Sequence, residues 1–461
     1  MRMKPIQDPL PVLPFTRPLR NPRVCVPGSK SISNRALLLA SLTNRSVRLE
    51  GLLRSEDVHW MLECLRSLGV RIDEIASDAV VVHGCGGVFP FKQADLQVGT
   101  AGTVARLLVG VLGAQPSGRF RVDGSEAMRK RPMAGILDFL AASGNTVRFE
   151  GKPGHLPVVI ESAGIKGGKY TVDASESSQI LSGILMAGAL AQDPLVVELQ
   201  GDTVSHPFIA MTLRMMEAFG ASEVRAFKDP ASFTISEPEG YHFKRDHYRI
   251  ERDATAASYF ILLPLVVGGS LRVADFLRNG LQGDAAFADV AEQVGGTTHM
   301  AHTGTSHDLE VAFPHNLQHP VSIDFNPISD TFLTLAAVAP LLKRPVLLTG
   351  IAHTRKQESD RVHAMATELR KLGQTIEESE DSLRIVPNLP NLLEAARTGV
   401  SIETYRDHRV AMSFAILGCR DLLENGQPWM EIRDPGCCAK TFPEFFSVLD
   451  SLRESTISDL Q

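Results

Sequence analysis

The sequence predicts an α/β protein of two similar domains, each a ring of three like units around buried helices. Its length of 461 residues exceeds what one hydrophobic core organises and predicts two domains. Five segments share one outline, in which an amphipathic helix ends at a glycine and an apolar, strand-like stretch follows. Two other segments, 180–191 and 331–342, are apolar almost all round, which is typical of helices enclosed by sheet.

The glycines that end the five helices recur at nearly constant spacing. They are Gly69, Gly144, Gly220, Gly295 and Gly373, separated by 75, 76, 75 and 78 residues. Each suits the left-handed position just past a helix C-terminus, which disfavours a side chain. A further helix from Phe445 stands where a sixth copy should end, so we predict six units, three in each domain. The domain boundary is expected near 245–255.

Composition excludes several classes of protein. A net charge of −6 argues against a general nucleic-acid binder, which needs a positive field. No apolar run reaches the roughly 18 residues of a membrane helix, and the N-terminus lacks the apolar core of a signal peptide, so we expect a cytoplasmic protein. The six cysteines form no C-x-x-C pair and are read as reduced thiols.

The segment 26–40, V-P-G-S-K-S-I-S-N-R-A-L-L-L-A, predicts an anion site. It places Lys30, Ser31, Ser33 and Arg35 at the start of a helix, where unpaired backbone N–H groups already favour negative charge. The alternative is that Ser33 or Asn34 only caps the helix and that the two cations are solvated.

Similar polar segments recur along both halves of the chain, each at or near a predicted helix start. They are Gly99–Thr103 with Arg106, Ala127–Pro132, Ser175–Gln179, Asp330, His353–Arg361, Tyr405–Arg409 and Cys438–Pro443. Capping, surface charge or a local Glu358–Arg361 pair explains each one singly. Together they predict a cleft between two domains that binds a substrate with several negative charges, in which Asp330 and Glu358 move protons.

In this order the motifs P-G-S-K-S-x-S-N-R, G-x-A-G-T, R-K-R-P, S-S-Q, S-D-x-x-x-T, Q-E-x-D-R, D-H-R-x-A-M and A-K-T-F-P resemble those of the 5-enolpyruvylshikimate-3-phosphate synthases. The resemblance implies transfer of the enolpyruvyl group of phosphoenolpyruvate to the 5-hydroxyl of shikimate 3-phosphate, a step of aromatic amino-acid biosynthesis. Phosphate is released, and no metal or organic cofactor is implied. The expected partners are these two small molecules, with no nucleic acid or membrane, and the chain is expected to be a monomer.

The resemblance also implies a fold and its boundaries. Each domain consists of three βαβαββ units around buried helices, an arrangement like an inverse α/β barrel. The N-terminal three-unit domain is expected at 29–250. Residues 1–28 and 251–461 are expected to form the C-terminal one, and the two domains to close on the substrates.

Site residues follow from the resemblance motif by motif. Expected at phosphoenolpyruvate are Lys30, Gly102, Arg131, Gln179, Arg361, Arg409 and Lys440. Expected at shikimate 3-phosphate are Ser31, Arg35, Ser177, Ser178, Gln179, Ser205, Asp330 and Gln357. The implied catalytic groups are Asp330, as base at the acceptor hydroxyl, and Glu358 with Lys30, as proton carriers.

Several positions depart from the pattern usual in the family. They are Thr100 and His353 where Asn is usual, Phe208 for Tyr, Gln357 for Lys with Lys356 one position early, and Ala127 for Arg. These departures leave acceptor affinity open. Two alternatives remain, an enolpyruvyl transferase for another phosphorylated acceptor and a catalytically silent anion-binding homologue. The retained Lys30, Asp330 and Glu358 argue against the silent homologue.

Overall fold

The structure is a computed structural model that describes residues 7–201, 206–228, 231–303, 306–314 and 319–458. Its strands are β1 (Leu10–Pro11), β2 (Leu19–Val24), β3 (Ser46–Glu50), β4 (Ile72–Ala76), β5 (Ala79–His83), β6 (Gln93–Gln97), β7 (Gly118–Asp123), β8 (Thr146–Phe149), β9 (Val158–Ser162), β10 (Gly168–Val172), β11 (Leu195–Leu199), β12 (Val224–Lys228), β13 (Ala231–Ile235), β14 (His247–Arg249), β15 (Gly269–Val273), β16 (Thr297–Thr303), β17 (Ser306–Ala312), β18 (Val321–Asp324), β19 (Val346–Thr349), β20 (Thr375–Glu378), β21 (Ser382–Val386), β22 (Val400–Ile402) and β23 (Met430–Ile432).

The α-helices are α1 (Lys30–Leu42), α2 (Glu56–Ser67), α3 (Gly102–Gly113), α4 (Glu126–Arg129), α5 (Ala134–Ala142), α6 (Ser178–Gly188), α7 (His206–Ala218), α8 (Ala254–Val267), α9 (Phe287–Gln293), α10 (Phe332–Val338), α11 (Arg361–Lys371), α12 (Leu389–Thr398), α13 (His408–Gly418) and α14 (Phe445–Ser458). Short 3₁₀ helices lie at Gly283–Ala286, Asn326–Thr331, Ala339–Leu341, Ala352–Lys356 and Pro435–Lys440.

The chain divides into two compact units. The first unit is Gly28–Glu251, and the second combines the described residues of 1–27 with those of 252–461. The second unit is therefore discontinuous in sequence, because β1 and β2 pair with strands that come much later in the chain: β2 lies parallel to β15, and β1 lies antiparallel to β23.

Small mixed sheets repeat through both units. In the first unit the strand orders are β14-β3-β5-β4, β6-β7-β9-β8 and β10-β11-β13-β12. In the second unit they are β16-β17-β15-β2, β18-β19-β21-β20 and β1-β23-β22. Each four-stranded sheet joins a parallel pair to an antiparallel pair, as in β6 with β7 and β9 with β8. The predicted α/β class with a repeated unit is confirmed.

The five turn glycines adopt the predicted left-handed backbone. Their φ angles are 87° at Gly69, 110° at Gly144, 82° at Gly220, 102° at Gly295 and 72° at Gly373. A side chain at a positive φ costs free energy, so glycine at these helix ends is a requirement of the backbone. The repeat read from the sequence is therefore a repeat of structure.

Buried helices occupy the interior of each unit. All twelve residues of α3 and all eleven of α13 are buried. The apolar segment predicted at 180–191 forms α6, which begins two residues earlier, at Ser178. The segment predicted as one helix at 331–342 instead splits into α10 and the 3₁₀ helix Ala339–Leu341. Pro340 lacks the N–H that an α-helix would use there, so the continuous helix was a wrong prediction.

Within the part of the chain that the structure describes, no helix has the length and apolar character needed to cross a membrane.

Candidate active site

The start of α1 holds a lysine opposite a buried carboxylate. Lys30 is the first residue of α1, and its Nζ lies 3.6 Å from Asp57 Oδ2 in the first turn of α2. The Asp57 side chain is only 2% exposed, and its Oδ1 has no hydrogen-bond partner among the described residues. A buried oxygen that lacks a donor carries a desolvation cost, so this corner of the unit is polar and incompletely satisfied.

Arg35 lies inside the first unit and is 1% exposed. Its guanidinium donates to Thr212 Oγ1 at 2.8 Å, Ser182 Oγ at 3.2 Å and the Ser31 carbonyl at 3.1 Å. Burial lowers the pKa of Arg35 to about 10. Arg35 is thus no solvated surface charge, and because α1 begins at Lys30, Ser33 and Asn34 are no caps.

The first turns of α3 and α6 are joined by side-chain hydrogen bonds. Gln179 Oε1 accepts from Arg106 Nη1 at 2.9 Å, and Gln179 Nε2 donates to Thr103 Oγ1 at 3.1 Å. Arg106 also donates to the Pro132 carbonyl at 2.9 Å. Both ends of the Gln179 amide are therefore fixed. The two helix starts lie side by side.

Gly102, the first residue of α3, lies directly against Arg131. A Cβ placed on Gly102 would stand 2.6 Å from Arg131 Nη1 and 2.8 Å from Arg106 Nη1, too close for either atom. Among the described residues Arg131 Nε is buried without a hydrogen-bond partner. The neighbouring cations of the motif behave differently, because Arg129 pairs with Asp123 and Lys130 is exposed.

The predicted serines occupy two helix starts. Ser31 lies in the first turn of α1 and Ser178 is the first residue of α6. Ser177 caps α6, since its Oγ accepts from the Gln179 N–H at 3.3 Å. Capping therefore accounts for one of these hydroxyls, as the alternative interpretation proposed. Ser205 lies outside the described residues.

In the second unit, Arg361 is the centre of a carboxylate cluster. It is the first residue of α11, and its guanidinium donates to Asp407 Oδ2 at 2.8 Å, Asp330 Oδ1 at 2.8 Å and Glu358 Oε2 at 3.0 Å. The Gln357 side-chain oxygen also accepts from Arg361. Burial alone would lower the pKa of Arg361, but the negative charges of Asp407, Glu358 and Asp330 raise it above its ordinary value. The guanidinium stays charged.

Asp330 bridges two arginines. It lies in the 3₁₀ helix that precedes α10, and its Oδ2 accepts from Arg409 Nη2 at 2.7 Å while Oδ1 accepts from Arg361. Arg409 lies in the first turn of the buried helix α13. Next to Asp330, Ser329 Oγ lies 2.8 Å from His353 Nε2. Asp330 therefore binds two cations rather than capping a helix, which was the alternative reading of its position.

Glu358 bridges a second pair of cations. Its Oε1 lies 2.9 Å from Lys440 Nζ, and its Oε2 accepts from Arg361. Lys440 ends the 3₁₀ helix Pro435–Lys440 and is buried. Lys356, one position before the usual cation of the motif, is exposed. Five predicted residues, Asp330, Glu358, Arg361, Arg409 and Lys440, thus form one connected charge network.

Comparison with known proteins identifies the family of this chain. The family model described as EPSP synthase (3-phosphoshikimate 1-carboxyvinyltransferase) matches residues 20–449. The chain belongs to the EPSP synthase family. This membership confirms the predicted resemblance, and with it the predicted enzyme class and reaction, enolpyruvyl transfer from phosphoenolpyruvate to shikimate 3-phosphate.

Individual relatives match nearly end to end. A 3-phosphoshikimate 1-carboxyvinyltransferase of Opitutus terrae is 46% identical over 459 residues, 99% of this chain and all of the relative. One of Nostoc punctiforme is 40% identical and covers 95% of this chain and 98% of its own. The solved EPSP synthase of Acinetobacter baumannii aligns with a TM-score of 0.78 at 25% identity, covering 97% of this chain and 98% of its own.

Sequence reasoning gave no role to two buried carboxylates that lie beside predicted site residues, Asp57 beside Lys30 and Asp407 beside Arg361. Asp407 caps α13 by accepting from the Arg409 N–H at 2.9 Å, and it also fixes Arg361. It was visible in the Tyr405–Arg409 motif but received no role. The sequence pattern around Asp57 indicates a functional role less strongly, since an acidic residue in the first turn of a helix usually serves only to interact favourably with the helix dipole.

Proposed function

We propose that this chain transfers the enolpyruvyl group through the residues of the charge clusters described above. Both substrates carry phosphate and carboxylate groups, so a site for them needs several cations. The observation that carries the proposal is that Arg361, Arg409 and Lys440 all bind the two candidate proton-transfer carboxylates, Asp330 and Glu358. Such an arrangement neutralises anionic substrates and keeps proton-transfer groups beside them.

In the first unit we assign phosphoenolpyruvate contacts to Lys30, Gly102, Arg131 and Gln179. The unpartnered Nε of Arg131 supports this assignment, because a buried donor without a protein acceptor suits a ligand anion. Gly102 supports it as well, since the missing side chain keeps the Arg131 guanidinium close to the helix start.

Acceptor contacts in the first unit are assigned to Ser31, Arg35, Ser177, Ser178 and Ser205. Ser205 lies outside the described residues. Gln179 is assigned to both substrates. Arg35 supports the assignment because its hydrogen-bond partners in the described chain are hydroxyls and carbonyls rather than a carboxylate. A carboxylate or phosphate of the acceptor would neutralise it.

In the second unit we assign phosphoenolpyruvate contacts to Arg361, Arg409 and Lys440, and acceptor contacts to Asp330 and Gln357. The three cations now bind Asp330 and Glu358. Anionic substrate groups would compete for these cations, and each cation drawn away leaves its carboxylate a stronger base.

The chemistry then proceeds in two stages. The methylene carbon of phosphoenolpyruvate takes a proton from Glu358 or Lys30, and the acceptor oxygen bonds to the neighbouring carbon as Asp330 takes the hydroxyl proton. The resulting tetrahedral intermediate loses phosphate, which leaves with the proton held by Asp330, and returns a methyl proton to Glu358 or Lys30, so that the new carbon–carbon double bond forms. No electron acceptor is needed, and the assigned groups return to their starting protonation states.

We also propose that the two compact units are the two predicted domains, 29–250 and 1–28 with 251–461, and that the chain acts as a monomer. Light scattering of the purified protein should then give a mass near 50.1 kDa. A mass of twice that value would contradict the monomer.

Phosphate release tests the proposed reaction. Purified protein is mixed with phosphoenolpyruvate alone, with phosphoenolpyruvate and shikimate 3-phosphate, and with phosphoenolpyruvate and shikimate that lacks the phosphate. Release that requires phosphorylated shikimate and no added metal supports the assignment. Protein that binds phosphoenolpyruvate yet releases no phosphate with this acceptor would overturn it in favour of another acceptor or a silent homologue.

A further inference from the structure

Asp284 is a buried carboxyl group that the reaction above does not use. It lies in the 3₁₀ helix Gly283–Ala286 of the second unit and is 6% exposed. Its side chain accepts a hydrogen bond from Thr255 Oγ1, in the first turn of α8. In the described part of the chain this hydroxyl is its direct partner, and no cation lies within ion-pair distance. A buried carboxyl with a neutral partner is unusual, because burial normally demands a paired charge.

The charges around Asp284 belong to the proposed site. The segment Gly283–Ala286 packs against the 3₁₀ helix that carries Asp330, and Arg409 acts on both carboxyls. Asp253, the cap of α8, adds a further negative charge. The groups that face Asp284 are therefore Thr255 and Asp253 from α8 and its cap, Asp330 from the preceding 3₁₀ helix, and Arg409 from α13.

These surroundings make Asp284 a weaker acid than an ordinary aspartate. Burial is the largest cause and the negative charge of Asp330 the second, and together they raise the pKa of Asp284 to about 7. The Thr255 hydrogen bond and the Arg409 charge act in the opposite direction. Asp284 therefore changes charge near pH 7, at a position that acts electrostatically on Asp330 and Arg409.

We propose that Asp284 is a positioning residue that controls how readily Asp330 accepts a proton, through its own charge and through its longer-range attraction for the Arg409 guanidinium that binds Asp330. The inference rests on the proposed role of Asp330 as base. With Asp284 protonated, Arg409 interacts fully with Asp330 and weakens it as a base. With Asp284 ionised, its negative charge offsets part of the Arg409 charge and repels a negative charge on Asp330, so Asp330 takes the hydroxyl proton more readily.

The test is the pH profile of single-turnover phosphate release between pH 5.5 and 8.5, with both substrates saturating, for wild type and Asp284→Asn. The wild-type rate should rise with pH around a midpoint near 7. Asparagine keeps the shape and cannot ionise, so the variant should lack this rise and be about tenfold slower at pH 8. An Asp284→Asn profile that keeps the wild-type midpoint would overturn the inference.

Thr255→Val is the second variant. Removing the hydroxyl removes a hydrogen bond that favours ionised Asp284, so the midpoint should move to higher pH while the rise itself remains. A merely structural role would slow the enzyme at all pH values without moving the midpoint. If Asp284→Asn fails to fold, the Thr255→Val midpoint alone decides, and an unmoved midpoint contradicts the inference.

Stability supplies a readout that does not depend on turnover. The folded state holds the Asp284 proton up to pH about 7, whereas the unfolded chain releases it near the ordinary aspartate pKa of 3.8. The stability contributed by this proton is complete below pH 3.8 and is lost as the pH rises through about 7. Wild type should therefore lose stability relative to Asp284→Asn as the pH rises from 4 to 7.

The experiments separate failure of the proposed function from failure of the inference. If wild type releases no phosphate at any pH, the proposed function fails and the inference with it. If wild type is active and the Asp284→Asn profile keeps the wild-type midpoint, the inference alone is overturned.

Discussion

Arg361 and Asp407 form an ion pair that is almost completely withdrawn from water. Arg361 Nε donates to Asp407 Oδ2 at 2.8 Å, and the two side chains are 1% and 0% exposed. Asp407 also caps α13, so the pair links the first turns of α11 and α13. These helices carry Arg361 and Arg409, which both bind Asp330.

Asp407→Asn should therefore destabilise the fold. The change removes one of the negative charges that neutralise the buried Arg361 guanidinium. Breaking a buried ion pair usually lowers the free energy of unfolding by ~3–5 kcal/mol, and because Asp330 and Glu358 remain, we expect a loss of ~3 kcal/mol. Urea unfolding measures it. Ser359→Ala is the control, since it removes only the 3.0 Å hydrogen bond from Ser359 to Asp407 and should cost ~1 kcal/mol. Equal losses in the two variants would contradict the prediction.

Glu358→Gln should keep substrate binding but slow turnover by ~10²-fold or more. Arg361 and Lys440 bind the two carboxylate oxygens at 3.0 Å and 2.9 Å; glutamine keeps one oxygen for one of these cations, but it cannot carry the proton. Steady-state phosphate release gives kcat, and fluorescence or calorimetric titration gives affinity. Glu380→Gln, an exposed carboxylate in the same unit, is the matched control and should leave both unchanged. Full turnover in Glu358→Gln would remove this residue from the mechanism.

The repeat could be predicted from the sequence because it depends on local backbone chemistry. A glycine just past a helix end is a short-range requirement, and the positive φ at Gly69 and Gly373 meets it. The split of the helix predicted at 331–342 was harder to see, since Pro340 sits in an otherwise helical apolar pattern.

The site could be predicted only in part because its contacts join distant segments. Residue types and helix starts identify Asp330 and Arg361 as candidates, but nothing local shows that Asp330 accepts from Arg409, 79 residues away. Asp284 was missed for the same reason: its partner Thr255 is 29 residues away, and its charged neighbours belong to other segments. Sequence spacing does not report such proximity.

Gly102→Ala should raise KM for phosphoenolpyruvate. The new Cβ would meet Arg131 Nη1 at 2.6 Å, so the guanidinium must move away from the start of α3. Loss of one charged hydrogen bond costs ~1.5–3 kcal/mol, which corresponds to ~10- to 150-fold in KM. Steady-state kinetics against phosphoenolpyruvate measures it. Gly151→Ala, whose nearest neighbour would be Pro157 Cδ at 3.4 Å, is the control and should leave KM unchanged. An unchanged KM in Gly102→Ala would show that Arg131 does not bind this substrate.

His353→Asn should change how stability depends on pH. Burial lowers the pKa of His353, against the opposing charges of Asp330 and Asp381, so the folded state holds the neutral ring. A depressed pKa contributes stability that is present above the unfolded value of 6.5 and is lost as the pH falls through the lower, folded value. Asparagine does not titrate. When thermal unfolding is measured at pH 7.5 and then at pH 5.5, wild type should therefore lose more stability than His353→Asn. The control is His299→Asn, at an exposed position. His353 Nε2 lies 2.8 Å from Ser329 Oγ, beside Asp330. If the stability difference between wild type and His353→Asn stays constant over this pH range, then His353 takes up its proton as easily in the folded protein as in the unfolded chain, and the prediction is wrong.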